Sequence, residues 1–169
     1  MKVYRISKCN YIDDLTGKGS AGYPGRWHSK GTYILYTAAT SSLALLESVV
    51  HLSALTMTDF CIVCLDIPDN NIAILKNDDL PGDWHMYPPP DKCKMLGDNF
   101  IVQGKYLALQ LPSAVMPEEN NFLLNPNHPD FKLVRVVYKR SMPIDQRLSK
   151  LAVRPTSGKA ASSGQIPKA

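Results

Sequence analysis

Apolar and polar positions change rhythm several times along this chain. Near the start, VYRI (residues 3–6) is a short alternating stretch and predicts a strand. Residues 16–25, TGKGSAGYPG, hold four glycines and a proline in ten positions and predict a loop. TYILYTA (32–38) is β-branched and aromatic, which predicts a second strand. From Thr40 the rhythm becomes helical: Leu43, Leu46, Val50 and Ala54 recur about one turn apart, and Thr40, Ser41 or Ser42 can cap the start. DFCIVCLDIP (59–68) and NIAIL (71–75) predict strands on either side of a Pro-Asp-Asn-Asn turn. PGDWHMYPPP (81–90) can be neither a helix nor an inner strand, because proline removes the donors both need. DKCKMLGDNFIVQG (91–104) predicts a second helix with Gly97 as its weak point. YLALQLP (106–112), SAVMP (113–117), NNFLLN (120–125) and KLVRVVYKR (132–140) predict further strands. Strands with two helices among them, and no regular βαβ alternation, point to the α+β class rather than a doubly wound sheet.

A length of 169 residues fits one domain with a real core. No apolar run approaches the roughly 20 residues a membrane helix needs, and MKVYRISKCN has no hydrophobic signal core, so the expected setting is cytoplasmic. Cys9, Cys61, Cys64 and Cys93 show no disulfide-framework spacing, in keeping with that setting. The net charge is +4, but its location changes the picture. Residues 149–169 carry Lys150, Arg154, Lys159 and Lys168 with no acid, which leaves 15 basic against 15 acidic residues in the body. The tail is rich in Ser, Ala, Gly and Lys, lacks aromatics, and reads as disordered or vector-derived. The expected division is therefore a domain over 1–148 and a basic tail over 149–169. A balanced body is not expected to bind nucleic acid directly.

Neither GxGxxG nor GxxxxGK[ST] occurs, so the two standard glycine-rich phosphate loops are absent. Glu47 lies in the run LALLESVVHL, one helical turn from Leu43 and His51 and beside Leu46 and Val50. A carboxylate there is unfavourable unless it is paired or used; the bland alternative is a glutamate on the helix surface. Arg26, where the glycine-rich loop meets a strand, can grip a phosphate or carboxylate through two parallel hydrogen bonds. Its bland alternative is a surface arginine stacked on Trp27 or Tyr23. Tyr36 reads as core filler with an edge hydroxyl, and Ser113 as a turn serine lacking the GxSxG elbow of a hydrolase nucleophile. His28, His51, His85 and His128 are scattered, and Cys61 and Cys64 lie three apart on a strand, pointing to opposite faces, so no metal site is expected.

Four blocks in order, LTGKGSAGYPGRWHSKGTYILYTA, LALLESVVHL, LPSAVMPEENNFLLNPNHPDF and DQRL, resemble the RES domain family, named for arginine, glutamate and serine. The resemblance runs from YRI to about Leu148. It assigns the named residues to Arg26, Glu47 and Ser113, and it matches Tyr36, Asn121, Asn125 and His128 to further family positions. After GRW the family usually has asparagine where this chain has His28, so His28 takes no role by analogy. The resemblance implies a fold like the ADP-ribosyltransferase fold of diphtheria-type toxins and a toxin paired with an Xre-like antitoxin. The substrate is NAD+, with no separate cofactor, and the nicotinamide–ribose bond is cleaved by hydrolysis or phosphorolysis. Glu47 and Arg26 are the expected catalytic residues, and Arg26, Tyr36, Ser113 and Asn121 the expected substrate contacts. Two rivals stand beside this reading: transfer of ADP-ribose to a protein, and a non-catalytic binding module whose Arg26, Glu47 and Ser113 form a structural polar network. An antitoxin covering the cleft is expected, with the Tyr87–Pro90 loop as a candidate contact.

Overall fold

The computed structural model describes residues 1–50 and 59–149. Seven strands form one sheet: β1 (Lys2–Lys8), β2 (Leu35–Ala38), β3 (Phe60–Asp66), β4 (Ile72–Ile74), β5 (Ala108–Pro112), β6 (Asn120–Leu124) and β7 (Arg135–Ser141), in the order β4-β5-β6-β2-β1-β3-β7. All neighbours are antiparallel except β4 and β5. Two helices stand among the strands as the sequence predicts, α2 (Ser41–Val49) and α3 (Asp91–Gln103). Two short helices, α1 (Lys18–Ala21) and α4 (Gln146–Ser149), add to them, so the fold is α+β. Among the described residues no helix is long and apolar enough to cross a membrane. The basic tail, from residue 150 on, lies outside the described residues, as do His51 and Ala54.

The core has two sides, because side chains on a strand alternate. One side gathers Val3, Leu35, Val63, Leu65, Phe122 and Leu124 beneath Ile12. The other gathers Ile34, Leu109, Leu111 and Leu123 beneath Trp27, Trp84, Cys93 and Phe100. Each such side chain contributes roughly 1.5–3 kcal/mol when fully buried. Gly97 is no weak point but the contact point of α3 on this second side. A Cβ there would stand 1.7 Å from the Trp27 carbonyl oxygen, so only glycine lets the helix approach that backbone.

Four expectations change on inspection. Thr40 is the cap of α2, accepting from the Leu43 N–H at 3.0 Å, but the buried stripe is Leu43, Ala44 and Val49, and Val50 is exposed. SAVMP is a turn rather than a strand, because the Ser113 hydroxyl accepts from the N–H groups of Val115 (3.1 Å) and Met116 (3.0 Å). A side chain that takes those donors withdraws them from a ladder. The glycine-rich stretch contains the single turn of α1, and the segment before Arg135 is a 3-10 turn over Pro129–Leu133. Finally, Cys9 and Cys61 form a disulfide. They lie 52 residues apart in sequence, and only the β1–β3 register, which sets Lys8 opposite Phe60, brings them together.

Candidate functional site

The site begins where the sheet comes apart. β1 runs in register with β3 from Lys2 to Lys8, yet it pairs with β2 only at Tyr4 and Ala38. Beyond that pair a cavity of about 580 Å³ separates the two strands, with Arg5 and Ile6 on one wall and Leu35, Tyr36 and Thr37 on the other. Glu47 and Arg26 both line it.

Glu47 enters from α2. It stands one turn beyond Leu43 and Ala44, on the face of the helix that packs against Ala38. One of its oxygens, Oε1, accepts from the Ser113 hydroxyl at 2.7 Å and from the Asn121 side-chain amide at 2.5 Å. The β5–β6 register explains why these two donors meet. Leu111 faces Asn121, and the Ser113 N–H donates to the Glu119 carbonyl, so Ser113 and Asn121 are diagonal neighbours on one face. Among the described residues Oε2 accepts from no group. One oxygen is anchored and the other remains available to a bound molecule. Ser113 itself is fully buried.

Arg26 is held by backbone. Its Nη1 donates to the Trp84 carbonyl at 2.6 Å and the Met86 carbonyl at 2.8 Å. The proline-bounded segment around residues 81–90 therefore cradles the guanidinium, and Arg26 is neither stacked nor free. The loop that carries Arg26 is fixed from three sides. Trp27 packs on Trp84, their ring centroids 6.1 Å apart. The Trp27 backbone lies on Gly97. Asp98, next along α3, accepts from the Ser29 N–H (3.0 Å) and the Thr32 hydroxyl (2.7 Å). Burial alone would raise the Asp98 carboxyl, but these hydrogen bonds outweigh it and hold the group below its ordinary range.

Tyr36 and His28 join loop to strand. The Tyr36 hydroxyl lies 2.7 Å from His28 Nδ1 and accepts from the Trp27 N–H at 3.3 Å. His28 Nε2 lies 2.9 Å from the Ser20 carbonyl and 3.0 Å from the Tyr23 carbonyl. Carbonyls only accept, so Nε2 carries a proton, and in the neutral ring Nδ1 accepts from Tyr36. Gly25 makes room for this ring: a Cβ there would stand 2.5 Å from His28 Cε1. Burial pushes the Tyr36 phenol well above its ordinary value, and it stays neutral at physiological pH.

Of the residues that sequence singled out, Arg26, Tyr36, Glu47 and Asn121 line one cavity, and Ser113 stands behind Glu47. Asn125 and His128 lie elsewhere. Asn125 accepts from the Asn127 N–H, and His128 caps the 3-10 turn through the Asp130 N–H, so both shape a bend of the chain. Sequence reasoning missed the Trp84 and Met86 carbonyls, Asp98, the anchoring by His28, and Arg5. Among the described residues no group of three or more His, Cys, Asp or Glu side chains is arranged to hold a metal ion.

The sequence model of the RES domain matches residues 2–146. The chain belongs to the RES domain family. Among curated RES relatives, "Toxin Res" of Photorhabdus laumondii is 40% identical over 154 residues, covering 89% of this chain and 98% of the relative. The "Prs ADP-ribosylating toxin" of a Sphingobium strain is 33% identical over 145 residues, covering 83% and 89%. The RES fold here is also that of a chain in the crystal structure of the M. tuberculosis MbcT–MbcA toxin–antitoxin complex, with a TM-score of 0.66 at 15% identity, covering 89% of this chain and 87% of that one.

Proposed function

We propose that this RES protein is the toxin of a bacterial toxin–antitoxin pair, and that it cleaves the nicotinamide–ribose bond of NAD+, delivering ADP-ribose to water or phosphate. The observation that carries the reading is the state of Glu47. One carboxylate oxygen is fixed by Ser113 and Asn121, and the other accepts from no group among the described residues, at a cavity that Arg26 also lines.

Ordinary glycosidases need two carboxyl groups, one of them to protonate a poor leaving group. Nicotinamide in NAD+ is already cationic. It leaves as a neutral base, taking the C–N electron pair, and no acid is required. Positive charge builds on the ribose carbon and ring oxygen. A single carboxylate stabilises that charge, or draws a ribose hydroxyl into line, and a half-buried setting strengthens its field. Water or phosphate then bonds to the ribose carbon, and water gives up its proton to solvent. The Ser113 hydroxyl orients Glu47 rather than touching substrate, which fits its complete burial. Arg26, with Nη1 committed to carbonyls, has its remaining donors for the diphosphate. Tyr36 stacks on the nicotinamide ring, and Asn121 borders the same pocket.

One observation favours the transfer reading. A relative of this chain is named an ADP-ribosylating toxin. The same carboxylate serves both reactions, so the acceptor decides between them. The antitoxin reading is supported by the toxin–antitoxin complex whose fold the chain shares, and it implies a cytoplasmic pair in which the antitoxin covers the cavity mouth.

The test is to mix purified full chain with NAD+ and measure free nicotinamide. The expected products are ADP-ribose without phosphate or its phosphorylated form with phosphate. Label from NAD+ on protein marks transfer instead. Glu47→Gln, nearly equal in size, is expected to stay folded and lose turnover by about a hundredfold or more. Full turnover in that variant removes Glu47 from the mechanism. No nicotinamide from the wild-type protein leaves the binding-module reading standing.

A further inference from the structure

The Cys9–Cys61 disulfide stands at odds with the cytoplasmic setting of the proposed function. Small thiols keep cysteines reduced there, and a disulfide in that setting is usually transient. Yet the fold itself sets up the pair. Lys8 faces Phe60 at the end of the β1–β3 ladder, and the Cys9 N–H donates to the Asp59 carbonyl at 2.8 Å. The two Cα atoms lie 4.8 Å apart, within the span of a disulfide. Cys64 and Cys93 are free and fully buried. Cys64 follows Cys61 by three residues along β3 and points to the opposite face, so it does not compete for Cys61.

The bond closes the chain from residue 9 to residue 61, and that stretch carries Arg26, Tyr36 and Glu47. It also pins one wall of the cavity. Cys9 opens the 3-10 turn Cys9–Tyr11; the Ile12 N–H donates to the Cys9 carbonyl at 3.4 Å and the Asp14 N–H to the Tyr11 carbonyl at 3.2 Å. Asp14 lines the cavity, and so does Phe60, the neighbour of Cys61. The next residue along the turn, Asp13, is held by Lys139 at 2.6 Å, but that pair is exposed and contributes little in water. Cys9 is partly buried whereas Cys61 is 9% exposed, so an incoming thiol meets Cys9 first.

We propose that Cys9–Cys61 is a thiol–disulfide exchange site for small thiols, and that its state sets how firmly the 9–14 turn is held at the cavity. This rests on the cytoplasmic reading and not on the reaction. The thiolate of a small thiol attacks Cys9 Sγ. The Cys9–Cys61 bond breaks, a mixed disulfide forms at Cys9, and Cys61 leaves as a thiolate that takes a proton from solvent. A second small thiolate attacks the small-thiol sulfur of the mixed disulfide. Cys9 leaves as a thiolate and is protonated in turn. Two small thiols have become one small disulfide, and two electrons have passed to the protein. A small disulfide reverses both steps.

The test equilibrates the full chain with reduced and oxidised glutathione, quenches in acid, and alkylates in denaturant for mass spectrometry. Of the four cysteines, two are expected to alkylate under oxidised glutathione and all four at the reducing ratio of a cytoplasm. Reduction is expected to speed deuterium exchange at the Ile12 and Asp14 amides by about tenfold. It is also expected to lower the melting temperature by about 5–15 °C. Cys9→Ser is expected to match the reduced protein and to ignore the reductant. Two alkylated cysteines in every buffer, or four in every buffer, overturns the exchange. Equal amide exchange in the two states overturns the hold on the turn. A Cys9→Ser protein that still responds to reductant overturns both, because the response then lies elsewhere. None of these readings needs turnover. If no nicotinamide is released while thiol count and amide exchange respond, the NAD+ reading falls and this site remains. If turnover is normal and the thiols never pair, the reverse holds.

Discussion

The two halves of the cavity hold their charges by different means. Glu47 is held by side chains: the Ser113 hydroxyl and the Asn121 amide both donate to one of its oxygens. Arg26 is held by backbone, through the carbonyls of Trp84 and Met86. The first arrangement depends on residue identity, since an alanine at 113 or 121 removes a donor. The second depends on the path of the chain, since every residue has a carbonyl. The carboxylate half is therefore sensitive to point changes around it. The arginine half is sensitive to whatever moves the 84–86 segment or the loop that carries Arg26.

The sharpest break in this comparison is at the charges themselves. Glu47→Gln, with its loss of about a hundredfold or more in turnover, carries the largest expected effect. Arg26→Ala comes next. It removes the guanidinium from the substrate, leaves the Trp84 carbonyl with only the weak Cys93 thiol, and takes the Arg26 donor from the Met86 carbonyl. The expected result is a rise of about ten- to a hundredfold in KM for NAD+ and a loss of stability of about 1–3 kcal/mol in urea denaturation. Arg26→Lys keeps the charge but not the fork, so it is expected to fall between. An unchanged response to NAD+ concentration in Arg26→Ala counts against the phosphate grip.

Ser113→Ala then separates holding from acting. Among the described residues the alanine leaves Glu47 with Asn121 alone, and it strips the acceptor from the part-buried Val115 and Met116 N–H groups. Turnover is expected to fall about tenfold, and stability by about 1–3 kcal/mol. A stability loss with turnover untouched would make Ser113 a turn residue only, with Asn121 sufficient to orient the carboxylate.

This contrast also explains what the sequence let a reader see. Glu47 was legible because a carboxylate in LALLESVVHL conflicts with its neighbours, and such conflicts mark sites. The phase of α2 was not legible, since Leu43, Ala44, Leu45, Leu46, Val49 and Val50 offer apolar residues in nearly every direction and packing alone chooses the buried face. Ser113 reads as a turn serine after its proline, and it is one; only SAVMP as a whole reads wrongly as a strand. The apolar SAVMP pattern does not reveal a hydroxyl that captures two backbone donors. Gly97 was read as a flaw in α3 because propensity scales know nothing of the Trp27 backbone it touches. Arg5 looked like the polar half of an alternating strand. Its place in the cavity follows from the parting of β1 and β2, which no local pattern encodes. The Cys9–Cys61 disulfide is of the same kind, being set by register across 52 residues.

The smallest expected effect tests the backbone-held half most closely. His28 occupies the position after GRW where asparagine is usual in the family, and here its ring spans from the Tyr36 hydroxyl to the Ser20 and Tyr23 carbonyls. Asparagine is too short to reach both ends at once. His28→Asn is therefore expected to lose one end of this bridge, costing about 1 kcal/mol of stability, the usual net value of a buried hydrogen bond. Turnover is expected to stay within a few-fold of wild type, because Arg26 keeps its two carbonyls and Glu47 its two donors. Thermal melting and nicotinamide release on the same preparation check both parts. Should turnover drop as far as in Arg26→Ala, the histidine bridge would be what holds the loop in place, and the carbonyl cradle would be secondary to it.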